Sequence, residues 1–523
     1  MGSHEMPKAK NVLIIICHPR KTSLNHALKA AFNTGLQKYS THVRVQDLYS
    51  EQFNPLLYDI HENAHDNIVD RMQANITWAD WLVFMYPLWW AGPPAMLKGY
   101  FDRVFTENFS FKYNQAGIPV GLLEGKRAFM IVTCDTPPAV LRLSRRTGGL
   151  KSVIRGVLNL CGMKDARFKL IGSVLTSTDE KRKKWITLAE KLGEKIGKPD
   201  TAAQIFKKQL ASFIKAVRLP LYSFVFCTVL LGAAVGATIT GTFRLLGFLL
   251  AALMSLWAHI AVSFSNEVVD EPNDRINMNR TMFNGGTGLL SKGFITKSIL
   301  NAGWIISTVL AVIVPALLVI LFDYHWLLIA SFGLGLLLGL EYNFPPFRLS
   351  RIGLGEVAGF IAYGVPVMLV GLILQVDSPV VNKLVANYRF YLLAMPVSLS
   401  VFATLCLTQI PDTDADRKMG KKSFSVLIGP RNVLILSVFA LFLCVALFIS
   451  FKTMNMLSLP YTILALLMPL LTGIMVLTNL DAYKIPAGRT MINIMGMSVT
   501  SSILCALIPV IYYLLNYSHV SWF

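Results

Sequence analysis

Charge is scarce in this chain. Only 15% of its 523 residues are Asp, Glu, Lys or Arg, where an average soluble protein carries roughly 25%. That excludes one ordinary soluble domain. An apolar content of 54% excludes disorder, and Gly and Pro without a period exclude a collagen-like repeat. Cysteine is thin: Cys17, Cys134, Cys161, Cys227, Cys406, Cys444 and Cys505 are scattered, odd in number and free of any CxxC spacing. A disulfide framework or zinc site is therefore disfavoured, and a reducing compartment is expected. Acidic side chains are the scarcer sign, 30 against 49 basic ones. No Lys/Arg stripe interleaves with aromatics, so no nucleic acid is expected, and a cytoplasmic face on anionic lipid explains the excess better. No signal-peptide apolar stretch follows a basic start. Residues 1–9, opening MGSHEM, are set aside as a tag or disordered leader.

The scarcity is local. Residues 1–217 hold 31 basic and 18 acidic side chains, while residues 218–523 hold only 18 and 12. A soluble half is therefore joined to a membrane-embedded half.

In the soluble half, NVLIIIC (11–17), HVRVQDL (42–48), WLVFMYP (81–87), RAFMIVT (127–133) and ARFKLIG (166–172) read as strands separated by helical patterns. Near-continuous apolar runs suit a parallel sheet covered on both faces. The expectation is an α/β, doubly wound domain over residues 10–198, with ligands beyond the carboxyl ends of its strands. Two loops there are informative. His18-Pro19-Arg20-Lys21-Thr22-Ser23-Leu24-Asn25 opens a helix, and hydroxyls at a helix N-terminus suit either a phosphate or simply a capped helix. It is neither GxGxxG nor GxxxxGK[ST], so no dinucleotide turn or P-loop is indicated. Tyr86-Pro87-Leu88-Trp89-Trp90-Ala91-Gly92-Pro93-Pro94 places two adjacent tryptophans in a loop, which a flat aromatic ligand would explain.

HPRKTSLN, DLYSEQFNP (47–55), YPLWWAGPPAMLKGYFDRVF (86–105) and CDTPP (134–138) resemble the flavodoxin-like NAD(P)H:quinone oxidoreductase family across residues 10–198. The resemblance implies FMN or FAD as cofactor, NAD(P)H as hydride donor and a quinone as acceptor. It places His18, Thr22, Ser23, Leu24 and Asn25 at the flavin phosphate and Pro87, Leu88, Trp89 and Trp90 at the ring. Thr133, Cys134, Asp135 and Thr136 would form the third flavin loop. It also implies a homodimer through this domain.

Residues 199–217 place Ile205, Phe206, Leu210, Phe213, Ile214 and Val217 on one helical side, with Lys207, Lys208 and Lys215 elsewhere. Such a stretch reads as an interfacial helix or an ordinary amphipathic linker.

Residues 218–523 should be an all-α polytopic membrane bundle of about nine transmembrane helices, near 219–240, 245–265, 297–321, 325–341, 354–375, 389–410, 431–450, 457–478 and 490–516. With the N-terminus inside, predicted cytoplasmic loops hold thirteen Lys and Arg, among them Arg280, Lys292, Arg348 and Arg489, and outer loops hold four. That bias puts the reductase half in the cytoplasm and the C-terminus on the opposite side.

Seven of the twelve carboxylates in this half fall in two clusters: Glu267, Asp270, Glu271 and Asp274, then Asp412, Asp414 and Asp416. Asn266, Asp270 and Asp274 recur every fourth residue, as do Asp412 and Asp416, and that spacing puts oxygen ligands on one helix face. Mg²⁺ commonly bridges a few carboxylates to substrate phosphates. Arg275, Arg280, Arg417, Lys418, Lys421 and Lys422 follow the clusters. Two acidic faces with basic neighbours make a site for Mg²⁺-diphosphate, whereas solvated loop charge would leave the doubled spacing unexplained.

NxxxDxxxD at 266–274 and IPDTDADRKMGKKSFSVLIG at 410–429 resemble the two aspartate motifs of the UbiA superfamily of intramembrane prenyltransferases. Glu341 to Ser350, then Gly353-Leu354-Gly355-Glu356, with Gly285-Gly286-Thr287-Gly288, resemble its dihydroxynaphthoate and naphthoquinol branch, although Asn343 replaces a small hydroxyl residue. The resemblance implies that metal and basic side chains draw diphosphate from an isoprenyl diphosphate, so that its allylic carbon attacks an electron-rich ring. Asn266, Asp270, Asp274, Asp412 and Asp416 would hold metal and diphosphate, with Arg275, Arg417, Lys418, Lys421 and Lys422 assisting. Tyr342 would sit near the allylic carbon or at the membrane interface. The fusion suggests reduction of a naphthoquinone followed by prenylation of its quinol, as in menaquinone-type synthesis. The alternatives are a flavin domain that reduces the prenylated product, or one half serving only as a binding or anchoring module.

Overall fold

The computed structural model describes residues 9–516, except 59–65, 114–116, 118, 144–146, 278, 280, 282, 285, 291–293 and 343, and except the side chains of 142, 202, 205, 208 and 275. The chain forms two compact units, Met1–Phe206 and Lys207–Phe523.

The first unit is built on a five-stranded parallel sheet. Its strands are β1 (Lys10–Ile16), β2 (Thr41–Asp47), β3 (Trp81–Pro87), β6 (Arg127–Thr133) and β7 (Ala166–Ile171), in the order β2-β1-β3-β6-β7. All five match the apolar runs read above to within a residue. Alternate residues of β1 serve opposite cores. Val12, Ile14 and Ile16 pack with Leu28, Phe32 and Leu36, while Leu13 and Ile15 pack with Met72, Ile76, Leu97 and Tyr100. Burial on both faces explains why the strand is apolar throughout rather than alternating. Helices Leu24–Gln37 and Asp179–Gly197 touch backbone to backbone, since a Cβ at Gly35 would lie 2.1 Å from the Glu190 carbonyl oxygen. The hairpin of β4 (Phe111–Tyr113) and β5 (Pro119–Gly121) carries too few residues to announce itself in the sequence.

The second unit is helical. Among the described residues, eight of its helical stretches are long and apolar enough to cross a membrane: Leu219–Thr240, Leu245–Val269, Lys297–Phe322, Gly355–Ile373, Tyr388–Lys418, Pro430–Thr453, Leu459–Thr478 and Arg489–Leu515. The ninth expected stretch is the apolar helix Leu327–Glu341, only 15 residues long. The Gly355–Ile373 span divides into Gly355–Ala362 and Val365–Ile373 around Gly364, just before Pro366. Small residues seat the central pair: a Cβ at Gly232 would fall 1.8 Å from the Met368 carbonyl, and one at Gly371 1.9 Å from that of Val229. Lys297–Phe322 instead exposes Ile306, Val312, Ile320 and Leu321, as a lipid-facing helix does.

The amphipathic segment is a helix, Ala202–Ala216. Its apolar side chains divide. Phe213 meets the Phe264 ring edge-on at 4.8 Å, whereas Phe206, Leu210 and Ile214 stay exposed at i, i+4 and i+8. The side chains of Ile205 and Lys208, and residues Arg280, Gly285, Lys292 and Asn343, lie outside the described set.

Candidate active sites

In the first unit, three loops leave the carboxyl ends of β1, β3 and β6 and are bonded to one another. Ser23 caps helix Leu24–Gln37 by accepting from the His26 N–H. Asn25, almost fully buried, donates through Nδ2 to Thr133 Oγ1 at 2.9 Å, and the Leu88 N–H donates to the Thr133 carbonyl at 2.7 Å. Asn25 Oδ1 is buried without a partner among the described residues. Trp89 and Gly92 exchange backbone hydrogen bonds of 3.0 and 2.9 Å, with Trp90 and Ala91 between them at φ 51° and 60°. Two non-glycine residues in the left-handed region cost roughly 1 kcal/mol each, a strain that clusters at functional loops. The loop thereby holds both indoles outward: Trp89 is exposed, Trp90 fully so, and the His18 ring lies 6.3 Å from that of Trp89.

Electrostatics anchor the first loop. Lys21 bonds both Asp47 and Ser50, and His26 faces Asp47 at 3.8 Å. Burial pushes the Asp47 carboxyl up, but Lys21 and His26 outweigh it and hold the group below its ordinary value. His18 is held below the usual imidazole value by burial and by the nearby His26 and Arg20 charges, so it favours the neutral form. Burial pushes the Cys17 thiol up to about 12, which makes it an inert core group. His18 and Leu24 are half-buried, Thr22, Asp135 and Thr136 are exposed, and Pro87 and Cys134 are buried. These loops bring together a capped helix start, exposed aromatic faces and an unpartnered acceptor, a set that fits a flavin.

In the membrane unit, both acidic clusters line one cavity of about 230 Å³. Asn266, Asp270, Asp274, Asp412, Asp416, Lys421 and Tyr342 all contribute to its wall. Lys421 Nζ lies 2.7 Å from Asp270 Oδ1. Burial alone would push the Lys421 ammonium down, but Asp270 and Asp416 outweigh it and hold it above the usual lysine value. Asp416 accepts from Ser423 Oγ and from Asn273 Nδ2, each at 3.0 Å, and Asp412 accepts from both Asn277 and Asn284. Gly286 lies against Asp274, where a Cβ would fall 1.6 Å from Oδ2; Thr287 next to it donates through N–H and hydroxyl to buried Glu267. Among the described residues no three His, Cys, Asp or Glu side chains converge on one point. The donor set is all oxygen, and Asn273 Oδ1 is a further buried acceptor without a partner among the described residues. That chemistry fits Mg²⁺, which one or two carboxylates of each motif would hold.

Residues 225–516 match the model of the UbiA prenyltransferase family, more than half of the chain. The chain belongs to the UbiA prenyltransferase family. Residues 10–195 match the flavodoxin-like fold. There the chain is 35% identical to an uncharacterized NAD(P)H oxidoreductase of Haemophilus influenzae over 189 residues, which make up 34% of this chain and 92% of the relative. It is 30% identical to NAD(P)H dehydrogenase [quinone] 1 of Cavia porcellus over 185 residues, 30% of this chain and 66% of that one. The apo structure of a UbiA homolog from Aeropyrum pernix K1 covers 54% of this chain and 94% of its own, at 21% identity and a TM-score of 0.42. A flavodoxin-like NAD(P)H:quinone oxidoreductase domain is thus fused to a UbiA prenyltransferase domain.

Within the UbiA unit, Arg417, Lys418 and Lys422 are exposed and do not line the cavity, and the Arg275 side chain lies outside the described set. Lys421 is the basic residue of the second motif that reaches the wall. Sequence reasoning did not single out Asn273, Asn277, Asn284, Gln409 or Arg218. The three asparagines stand at or soon after the first motif, and their clustering was an available signal. Arg218 lines the cavity 3.7 Å from Glu267, and Gln409 donates to Tyr342 Oη at 3.1 Å. Nothing local in the sequence marks either one.

Proposed function

We propose that this chain reduces a naphthoquinone to its quinol with NAD(P)H at the soluble unit, then prenylates the quinol ring from a polyprenyl diphosphate in the membrane cavity, as in menaquinone or vitamin K-type synthesis. The single observation behind this reading is the one cavity that both acidic motifs, Lys421 and Tyr342 line. A quinone ring is electron-poor and resists an allylic electrophile, whereas its quinol accepts one. The order is therefore reduction, then prenyl transfer, and a single chain raises the effective concentration of the quinol at the second site.

In the cavity, the carboxylates of Asp270, Asp274, Asp412 and Asp416, with Asn266, would hold Mg²⁺, which stabilises leaving diphosphate charge when bound. Lys421 adds a fixed positive charge beside Asp270, Asn277 and Asn284 orient Asp412, and the apolar helices shield a reactive allylic centre from water. In the soluble unit, bound FMN would supply the redox chemistry. Ser23 and the start of its helix would receive the flavin phosphate, and Trp89 and Trp90 would lie against the ring. FMN is favoured because one relative is an FMN-dependent NADH:quinone oxidoreductase, 36% identical over 111 residues. We assign the reductase unit to the cytoplasmic side, from the thirteen-to-four Lys/Arg bias of the sequence, and expect a homodimer through it. The exposed Phe206, Leu210 and Ile214 would rest in the membrane interface.

The test is mass spectrometry of products from a short-chain naphthoquinone, NAD(P)H, Mg²⁺ and a set of prenyl diphosphates. A prenylated ring formed only with all components supports the reading, and unprenylated quinol alone would refute it.

A further inference from the structure

Gln409 ends the helix Tyr388–Gln409, three residues before Asp412, and lines the membrane cavity. Both ends of the residue are fixed. Its Nε2 donates to Tyr342 Oη at 3.1 Å, and its backbone carbonyl accepts from Ser425 Oγ at 3.4 Å. Tyr342 is itself wedged in place, because a Cβ on the facing Gly355 would fall 2.7 Å from its ring. One N–H of the amide is thereby engaged on the tyrosine, and Oε1, the other polar atom of the side chain, can only accept. That atom is buried without a partner among the described residues.

Its polar neighbours on the same helix are different. The Thr408 hydroxyl donates to the Leu405 carbonyl, and the Thr404 hydroxyl is bonded to Ser400, Ser498 and Ser502. Asn273 Oδ1 is also unpartnered, but its amide is tied to Asp416, at the acidic end where a cation is already called for. Gln409 Oε1 therefore stands as an acceptor beside Tyr342 that lacks a donor. A buried acceptor left so is unfavourable, and a ligand that brings an O–H relieves it.

We propose that Gln409 Oε1 reads the reduced state of the aromatic substrate by accepting the hydrogen bond of a quinol hydroxyl. The oxidised ring carries a carbonyl there instead, and would set acceptor against acceptor. Sites built to bond a substrate hydroxyl reject analogues that lack it far better than apolar pockets discriminate size. Gln409 is thus a specificity-determining residue that keeps unreduced quinone from occupying the prenylation cavity. This rests on the quinol-prenylating function proposed above.

The experiment uses the full chain in nanodiscs with Mg²⁺ under argon. Its probes are 1,4-dihydroxynaphthalene and the redox-inert dimethyl ether of that diol, which has no donor. Equilibrium dialysis gives the affinity of each for the wild type and for Gln409→Leu, and the difference between the two proteins reads the membrane cavity alone. The substitution should weaken the diol about five- to tenfold, the worth of one neutral hydrogen bond, and leave the ether unchanged or tighter. In prenyl transfer to the diol, KM should rise more than kcat falls. Gln409→Glu, which keeps an acceptor, should retain the preference for diol over ether. Equal loss of both probes in Gln409→Leu, or no change in either, would overturn the proposal. Absence of any prenyl transfer from the wild type to the diol would instead overturn the functional reading, while the two affinities still decide the role of Gln409.

Discussion

Asn273 Nδ2 donates to Asp416 Oδ1 at 3.0 Å, joining residues 143 positions apart in the chain. This bond ties the first acidic motif to the second and orients the Asp416 carboxylate, which also accepts from Ser423. Partners that orient a metal ligand typically matter about 10–100-fold in metal affinity or activity. Asn273→Ala should therefore raise the Mg²⁺ concentration needed for half-maximal prenyl transfer by about tenfold or more, with quinone reduction unaffected. A Mg²⁺ titration of product formation checks this, and an unmoved midpoint would leave the bond a purely structural tie.

Asp270→Ala and Asp412→Ala should each abolish prenyl transfer. The first also strips Lys421 of its 2.7 Å partner, and the second leaves the Asn277 and Asn284 amides without their acceptor. Both proteins should keep NAD(P)H-dependent quinone reduction nearly intact, measured as NAD(P)H oxidation. Arg417→Ala and Lys422→Ala, exposed and away from the cavity wall, should change prenyl transfer little. Loss of both activities in a folded Asp270→Ala protein would contradict separate sites.

The sheet was legible because β1 buries both faces, so VLIII is apolar without interruption. The acidic motifs were legible because a four-residue spacing repeats in two places. What escaped depends on contacts between distant segments. The basic run after Asp416 gives Arg417, Lys418, Lys421 and Lys422 equal standing in the sequence. Only the turn at Gly420, φ +74°, and the packing beyond it turn Lys421 inward to Asp270. Gln409 and Arg218 acquire their places from Tyr342 and Glu267, 67 residues and 49 residues away in the chain. Gly286 is legible as a motif glycine, but its reason, room for the Asp274 carboxylate, is visible only in three dimensions.

Purified protein should be yellow and release FMN on denaturation. The Trp89-Trp90 turn holds two indoles outward at the energetic cost of left-handed backbone at Trp90 and Ala91. Trp89→Ala with Trp90→Ala should lower the flavin content of the preparation and its NAD(P)H oxidation in parallel. Absorbance near the flavin bands, set against protein concentration, reads the first quantity. A colourless protein that neither FMN nor FAD reconstitutes would count against the reductase assignment.

Asp47 gives the flavodoxin-like unit an acid dependence. Its folded pKa lies below the unfolded value of 3.8, so its ion pair with Lys21 stabilises fully above that value and is lost as pH falls through the folded one. Lys21 is more than half exposed, so solvent screening limits the effect to about 0.5–1 kcal/mol. Asp47→Asn should lower the temperature of flavin release equally at pH 7 and pH 5, with the gap closing below about pH 4. A gap that widened in acid would show the sign to be wrong.

The two activities should be coupled through the redox state of the acceptor. Given an oxidised naphthoquinone and a prenyl diphosphate, the intact protein should form product only when NAD(P)H is present. The cavity wall of the UbiA unit carries carboxylates, amides, an ammonium, the Arg218 guanidinium, the His259 imidazole and the Tyr342 and Tyr363 phenols, and none of these supplies a hydride or an electron pair to reduce a quinone. A protein beginning near Arg218 should therefore fail with the quinone, yet recover when the acceptor is chemically reduced first. Trp89→Ala with Trp90→Ala in the full chain should behave as that shortened protein does, which separates loss of electrons from loss of the cavity. Equal product from quinone with and without NAD(P)H would reverse the order, leaving the soluble unit to reduce the prenylated ring after transfer.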